Sequence, residues 1–210
     1  MSQAVVDVEF CFDFASPFSY LADCQLDWVL ADCAANSYQV TRVPVYLRGF
    51  EQFSRGMPYT ADKAAYLVRD MQRTAEANDI PLTMPKVMPI NGLYMLRGAV
   101  FLNSNVAEYG KELVSKYRHA AFKATWVDQR DVASAAAVAD IAAEIGIDRE
   151  AFAAGIATQP VKDELRANTA AAIARGAFGV PTIFVGGELF FGQDRLDQVK
   201  RLVDRLTSAQ

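Results

Sequence analysis

The chain has 210 residues, of which 52% are hydrophobic, so it can bury the core of one domain, or of one domain that carries a large insertion. Its formal net charge is −4 and it contains no block of lysines and arginines, which argues against nucleic-acid binding. No apolar run approaches the ~20 residues of a membrane span, and Asp7 and Glu9 come too early for a signal peptide, so we expect a soluble, cytoplasmic protein with no membrane contact.

The first predicted element is a buried strand, Val5–Phe14, which is rich in Val and Phe. Ser16 follows at the position of a helix N-cap, and Pro17 stands at the first helical position. Apolar residues then recur at helical spacing, which predicts a helix from residue 17 to about 35. N–H groups at a helix start lack helical partners and favour anions, so Ser16 is either a plain cap or a functional hydroxyl.

A second strand is predicted from Tyr38 to Tyr46, with Pro44 near its end. A helix separates the two strands, so we expect them to pair in parallel as a βαβ unit. The next stretch, residues 47–61, contains glycines, arginines and Pro58 and is predicted to be irregular and close to a functional site.

A long helical region is predicted to follow. Residues 80–89 hold three prolines and form a loop within it, and Asn91 is a candidate cap for the helix after the loop. The predicted helices are Asp62–Asn78 (buried face Ala64, Leu67, Val68, Met71 and Ala75), Leu93–Val106, Ala107–Tyr117, Ala133–Ile145, a short helix capped by Asp148 that ends near Ala157, and Pro160–Gly176.

The C-terminal part predicts a hairpin and one helix. Thr182–Val185 is the third strand, Gly186-Gly187 is a hairpin turn signal, and Leu189–Phe191 is the fourth strand. Gln193 and Asp194 are predicted to open the last helix, with Asp194 as its N-cap.

Neither the cysteines nor the histidine predicts reactive or metal-binding chemistry. The three cysteines have no paired spacing, which argues against a disulfide framework. Cys11 and Cys33 are expected to be buried and inert, and nothing near Cys24 would lower its pKa. The single histidine, His119, is expected to have no chemical role, and no metal site is predicted.

Two motifs near the ends of the chain resemble the DsbA-type thioredoxin superfamily. The first is the strand–helix junction with Ser16-Pro17-Phe18-Ser19, where redox members carry Cys-x-x-Cys, and the second is Gly179-Val180-Pro181-Thr182-Ile183-Phe184-Val185. Serine in place of cysteine, within Phe-Asp-Phe-Ala-Ser-Pro-Phe-Ser-Tyr-Leu-Ala, resembles the 2-hydroxychromene-2-carboxylate isomerases and the kappa-class glutathione transferases, as does the segment Phe190–Leu196.

This resemblance implies an α/β thioredoxin fold of the DsbA-like type, with a large helical insertion between its βαβ and ββα halves. The thioredoxin-like domain would comprise residues 1–48 and 159–210, and the inserted helical domain residues 49–158. The resemblance also implies that Pro181 is cis and faces the first helix, and that the protein is a homodimer.

Glutathione is the cofactor that the resemblance implies. Ser16 would donate a hydrogen bond to its sulfur, and Val180, next to Pro181, would pair with its cysteinyl backbone. The start of the last helix, Gln193 and Asp194, would receive the γ-glutamyl group. The remaining implied contacts come from Phe18, and from Lys63 or an arginine between residues 48 and 55, which would bind the glycyl carboxylate.

Ser16 is not expected to be a nucleophile, because it has no general base. The implied reaction is the conversion of 2-hydroxychromene-2-carboxylate to trans-o-hydroxybenzylidenepyruvate, in which the glutathione sulfur adds to a conjugated carbon and leaves after bond rotation. The carboxylate of this small aromatic substrate needs a cationic or amide anchor, for which the candidates are Arg48, Arg55, Asn91 and Arg97. Candidate walls of its pocket are Phe18, Tyr46, Phe53, Tyr59 and Tyr94.

Two other functions remain open at this stage. A kappa-like glutathione transferase or peroxidase would share the activation of the thiol, and a thioredoxin-fold binding protein would have lost the redox pair. A dithiol oxidoreductase is disfavoured by Ser16 and Ser19. The chain also departs from its relatives, which usually carry Gly-Asn before the proline of the first loop, where this sequence has Arg55-Gly56-Met57-Pro58.

Overall fold

A computed structural model describes residues 5–33, 37–86 and 88–208, and its centre is one four-stranded mixed sheet. The strands are β1 (Val6–Phe12), β2 (Tyr38–Pro44), β3 (Thr182–Val185) and β4 (Glu188–Phe191), in the order β2-β1-β3-β4. β1 pairs in parallel with β2 and antiparallel with β3, and β3 pairs antiparallel with β4. This βαβ plus ββ arrangement confirms the predicted thioredoxin-like fold.

The helices are α1 (Pro17–Val29), α2 (Ala61–Ala77), α3 (Leu93–Ser104), α4 (Val106–Trp126), α5 (Ala135–Glu144), α6 (Arg149–Ala157), α7 (Gln159–Ala174) and α8 (Leu196–Ser208). Six of them, α2 to α7, lie between β2 and β3, which confirms a helical insertion there. α1 ends earlier than predicted, and residues 34–36, where its predicted end falls, lie outside the described residues.

An aromatic cluster joins β1 to the inserted helices. Phe12 and Phe14 continue from the strand into the core, where Phe14 lies 4.7 Å from the ring of Phe122 on α4. Trp126, at the end of the same helix, is fully buried. The sequence prediction ended this helix at Tyr117, which is wrong. The helix continues because its last turns, from Ala121 to Trp126, carry side chains that fill the core.

A buried ion cluster fixes α1 against α4 and β2. The carboxylate of Asp23 on α1 is 1% exposed and contacts Arg118 of α4 at 2.8 Å and Arg42 of β2 at 3.3 Å. Burial lowers the pKa of Arg118, and Asp23 opposes this effect. Because a buried ion is costly unless it is paired, the cluster holds α1 in one position relative to its neighbours.

Two local expectations need correction. Ala64 on the first turn of α2 is exposed, so the buried face of that helix is confined to its second half, with Met71 and Ala75 buried. The last helix begins at Leu196, since Asp194 lies in a preceding 3-10 turn, Gln193–Arg195, that has Gly192 at its N-cap position. Within the described ranges, no helix combines the length and apolar character needed to cross a membrane.

Candidate active site

Three segments meet at one end of the sheet. β1 runs towards Ser16 at its carboxyl end, and in the antiparallel register Cys11 stands opposite Thr182, the first residue of β3. Pro181 therefore lies at the same end of the sheet as the start of α1. The turn Gln193–Arg195 completes the site, because the N–H of Gly192 donates to the carbonyl of Pro181 at 3.0 Å and the turn contacts α1.

Ser16 is the N-cap of α1, as the sequence predicts. Its Oγ accepts the N–H of Ser19 at 3.2 Å and its carbonyl accepts the N–H of Tyr20. Pro17 has no N–H, and the N–H groups of Ser19 and Tyr20 are both bonded to Ser16. The N–H of Phe18 is therefore the one in the first turn that has no partner among the described residues. Ser16 is 5% exposed, and its hydroxyl hydrogen has no acceptor in the part of the chain that the structure describes. An anionic group placed against this turn would receive an O–H and an N–H together.

Asp13 lies directly beneath this turn and was missed by the sequence analysis. Its carboxylate is 1% exposed and accepts the N–H of Ala15 at 2.8 Å and the N–H of Leu47 at 2.7 Å. Burial raises the pKa of Asp13 to about 6, although both N–H groups and the charge of Arg48 act in the opposite direction. Asp13 thereby connects the Ser16 turn to the segment that follows β2.

Two other contacts fix the backbone around Ser16. The indole Nε1–H of Trp126 donates to the carbonyl of Phe14 at 2.8 Å. Gly92 packs so closely on the junction that a Cβ there would lie 2.9 Å from Asp13 Oδ1 and 3.3 Å from the Ala15 nitrogen. The helical insertion therefore holds the Ser16 turn in place at two points.

The Val180–Pro181 peptide bond is cis, which confirms the prediction. The backbone N–H and carbonyl of Val180 have no partner among the described residues, whereas the carbonyl of Pro181 accepts Gly192 N–H. The Val180 side chain packs in a small cluster with Phe53. Next to this cluster Tyr59 contacts Phe53 edge-on, and the ammonium of Lys63 lies 5.0 Å from the centre of the Tyr59 ring.

Asp194 does not cap α8. Its carboxylate forms an ion pair of 2.6 Å with Arg195, because the 3-10 turn brings the two neighbouring side chains together. Gln193 contacts α2 instead, since its Nε2 donates to Thr74 Oγ1 at 3.4 Å. Both residues follow Phe191, which pairs with Thr182, so they lie at the same end of the sheet as Pro181.

The four predicted substrate anchors are separated by the structure. Arg48 and Arg55 are exposed on the segment after β2, and Asn91 is exposed with its Oδ1 accepting the N–H of Leu93. Arg97 of α3 lines a cavity of about 370 Å³ together with Tyr46, Gly49, Leu93, Gln159, Lys162, Leu165, Arg166, Thr169, Ala170 and Ile173. Of the candidate walls only Tyr46 lines this cavity, while Phe53 and Tyr59 lie beside Val180.

None of the thiols is activated. Cys11 and Cys33 are buried and Cys24 is exposed, and all three are free. Burial raises the pKa of Cys11 to about 12 and that of Cys33 to about 11. The pKa of Cys24 is raised to about 11 by partial desolvation of its sulfur and by the nearby Asp23 carboxylate. His119 lies on α4 against Arg118, and burial together with that cation lowers its pKa.

Asp13 and Trp126 were missed because each acts through a contact distant in sequence. Asp13 binds Leu47, which is 34 residues away, and Trp126 binds Phe14, which is 112 residues away. The one local signal was the position of Asp13, a carboxylate between Phe12 and Phe14 at the end of a buried strand, where an unpaired charge would be costly.

Comparison with known proteins gives consistent results over almost the full chain. A family model described as a DSBA-like thioredoxin domain matches residues 7–204. A 2-hydroxychromene-2-carboxylate isomerase of Pseudomonas sp. (strain C18) is 33% identical over 205 residues, which cover 95% of this chain and 91% of the relative.

More distant matches agree with these two. A glutathione S-transferase kappa 1 of Rattus norvegicus is 24% identical over 212 residues, covering 93% of this chain and 90% of the relative. A solved structure of a 2-hydroxychromene-2-carboxylate isomerase superposes with a TM-score of 0.80 at 28% identity, and the match covers 97% of both chains.

Proposed function

The chain belongs to the family of DSBA-like thioredoxin domains, as a relative of the 2-hydroxychromene-2-carboxylate isomerases, and on this basis we propose that it is a glutathione-dependent isomerase of a small aromatic carboxylate. The proposed reaction is the conversion of 2-hydroxychromene-2-carboxylate to trans-o-hydroxybenzylidenepyruvate. The observation that carries the proposal is the Ser16 hydroxyl. It caps α1, its hydrogen has no acceptor among the described residues, and it lies at the same end of the sheet as the cis Val180–Pro181 peptide.

The donors and acceptors around Ser16 fit glutathione. The N–H and carbonyl of Val180, which have no partner within the described ranges, are suited to an extended peptide, which offers the complementary groups in antiparallel pairing. Lys63 contacts Tyr59, which in turn contacts Phe53 of the Val180 cluster. Lys63 has no ion pair within the described ranges, so its ammonium is suited to bind the glycyl carboxylate of glutathione. Phe18, Pro181, Gln193 and Asp194 complete the proposed cofactor site.

Asp194 is proposed to bind the α-ammonium of glutathione, although it already contacts Arg195. That pair is exposed, and exposed pairs contribute only about 0–1 kcal/mol. A ligand ammonium can therefore share the carboxylate or displace Arg195 at little cost.

When bound, glutathione would supply a thiolate for reversible addition to a conjugated carbon of the substrate, whose hemiketal C–O bond must open to the phenol and the ketone; the carbon–carbon double bond could then rotate and re-form as the sulfur leaves. The protein's contribution is to keep that sulfur ionised. A free thiol has a pKa near 8.5 and is only a few per cent ionised at neutral pH. The Ser16 O–H, the Phe18 N–H and the dipole of α1 all favour the anion and thus lower the thiol pKa.

Activation of the thiol does not by itself separate an isomerase from a kappa-like transferase or peroxidase. The substrate carboxylate does, because it requires an anchor, and Arg48, Arg55, Asn91 and Arg97 are the proposed candidates. The cytoplasmic location and the homodimer stay predictions, which cell fractionation and sedimentation would test.

The deciding assay follows the conversion of 2-hydroxychromene-2-carboxylate by absorbance with and without glutathione, for wild type, Ser16→Ala and Ser134→Ala. Ser134 is a matched control, since its Oγ caps α5 through Ala137 N–H at 3.1 Å. Both variants lose a cap, worth about 1 kcal/mol. We expect glutathione-dependent turnover that falls at least tenfold in Ser16→Ala and is unchanged in Ser134→Ala.

Other outcomes assign the alternatives. Turnover of an aryl halide without isomerisation of the chromene would favour the transferase, and no glutathione binding at millimolar concentration would favour a binding protein. Reduction of insulin disulfides would contradict the raised thiol pKa values and favour an oxidoreductase.

A further inference from the structure

The cavity between α3, α7 and the segment after β2 has a strongly cationic lining. Arg97, Lys162 and Arg166 contribute to it, and none of its lining residues is an aspartate or glutamate. Arg166 is neutralised by Asp163 at 2.6 Å, but Arg97 and Lys162 form no ion pair within residues 5–33, 37–86 and 88–208. Two cations of this cavity are thus available to an anion.

Arg97 has an unmet hydrogen-bonding group. Its Nε is buried and has no partner in the described part of the chain, while its guanidinium lies 5.5 Å from the centre of the Tyr94 ring. A buried donor without a partner is destabilising, because it has lost its water without gaining an acceptor. A carboxylate in the cavity can accept two N–H bonds side by side from the edge of the guanidinium that lines it.

The rest of the lining is suited to an apolar or aromatic body. Tyr46, Leu93, Leu165 and Ile173 supply apolar surface, and Gln159 supplies an amide at the rim. The volume of about 370 Å³ lies at the small end of the range of roughly 300–1,000 Å³ for small-molecule sites. The cavity therefore matches a compact organic acid better than a long peptide.

The cavity is joined to the Ser16 turn through Asp13. Tyr46 and Leu93 line the cavity, and their chain neighbours Leu47 and Gly92 both contact the Asp13 carboxylate. Tyr46 is also fixed from the side of α7, where Thr169 Oγ1 accepts its N–H at 2.9 Å. The cavity and the turn consequently lie at the same end of the sheet and share one support.

We propose that this cavity is the carboxylate-binding subsite for the aromatic substrate, with Arg97 as the principal anchor and Lys162 as a second cation. The proposal rests on the proposed function for the identity of the ligand and selects Arg97 among the four candidate anchors. Lys162 has no counterpart among the sequence predictions. The subsite confers specificity for acids, since a neutral analogue of the same shape leaves the Arg97 guanidinium without a counter-charge.

The test is a calorimetric titration without glutathione, using two probes that differ at one group. The acid is trans-o-hydroxybenzylidenepyruvate, and the neutral probe is trans-4-(2-hydroxyphenyl)but-3-en-2-one, in which a methyl group replaces the carboxylate. We expect the wild type to bind the acid at least about tenfold more tightly than the ketone, as charged hydrogen bonds predict. Arg97→Met should remove this preference, Lys162→Met should reduce it, and Arg201→Met, at an exposed arginine of α8, should leave it intact.

The proposal is overturned if the wild type shows no preference for the acid, or if the preference survives undiminished in a folded Arg97→Met. If Arg97→Met does not fold, Lys162→Met decides alone, and an undiminished preference overturns the proposal. Glutathione affinity, measured separately, should be equal in wild type and Lys162→Met. A wild type that binds the acid but not glutathione would refute the proposed function and leave the subsite standing.

Discussion

Replacing Asp13 with asparagine should change how the stability of the protein depends on pH. Asparagine has nearly the same shape but cannot ionise, so it removes the titration of one buried group. Burial raises the pKa of Asp13 from 3.8 to about 6, so the folded state binds a proton more tightly than the unfolded state in this window. The free energy of unfolding contributed by Asp13 therefore falls as pH rises from 4 to 6.

The magnitude follows from the size of the pKa shift. A rise of about two units at about 1.4 kcal/mol per unit gives about 3 kcal/mol over the full window, of which about 2 kcal/mol falls between pH 4.5 and pH 7.5. All other ionisable groups are common to both proteins, so their contributions cancel in the difference. The free energy of unfolding of Asp13→Asn should thus gain about 2 kcal/mol relative to wild type over this pH interval.

Urea denaturation at the two pH values measures this difference. Asp79→Asn is the control, because Asp79 is exposed, its side chain makes no described hydrogen bond, and it has a positive φ of 52° that asparagine also tolerates. A difference between wild type and Asp13→Asn that stays within about 0.5 kcal/mol, or moves in the opposite direction, would refute the assignment of a raised pKa to Asp13.

Three other predictions concern packing, charge and the cofactor site. Asp23→Ala leaves Arg118 buried without its carboxylate partner and should lower the free energy of unfolding by about 3–5 kcal/mol. Asp140→Ala removes an exposed ion pair with Arg149 and should lower it by about 1 kcal/mol or less. Urea denaturation measures both, and equal losses would contradict the role of the buried cluster. Gly98→Ala places a Cβ 2.1 Å from the Tyr117 hydroxyl oxygen and should destabilise by about 1–3 kcal/mol, so an unchanged melting temperature would show that α3 and α4 move apart easily. Lys63→Met should weaken glutathione binding about two- to fivefold at low salt, as expected for an exposed ion pair, and Lys111→Met on α4 should leave it unchanged. If Lys63→Met binds glutathione as tightly as wild type, Lys63 is not part of the cofactor site.

The sequence predicts the parts of the site whose chemistry is local. The cap at Ser16 and the proline at the first helical position depend on neighbouring residues, whereas the cis Val180–Pro181 turn was implied by the resemblance to the DsbA-type superfamily. The structure places all three at one end of the sheet. The paired β1 and β2 strands were predictable for the same reason, because a single helix connects them.

Contacts between distant segments were beyond the sequence. In the sequence Asp13 is one polar residue at the end of an apolar strand. Only the structure shows that its carboxylate accepts the N–H of Leu47. The cavity joins Arg97 to Lys162, which lie on different helices, and no periodicity relates them. Asp194 is a residue type that commonly caps helices, but in the 3-10 turn its carboxylate forms an ion pair with Arg195. Local residue preferences do not predict which of these two partners the carboxylate binds.

The most direct test of the central claim is a glutathione titration by calorimetry, with the thiolate absorbance recorded at each point, for wild type, Ser16→Ala and the cap control Ser134→Ala. We predict that wild type and Ser134→Ala bind glutathione and raise the thiolate signal at neutral pH, and that Ser16→Ala loses most of that signal. An equal thiolate signal in Ser16→Ala would show that Ser16 is only a helix cap, and a wild type that does not bind glutathione would contradict the proposed function itself.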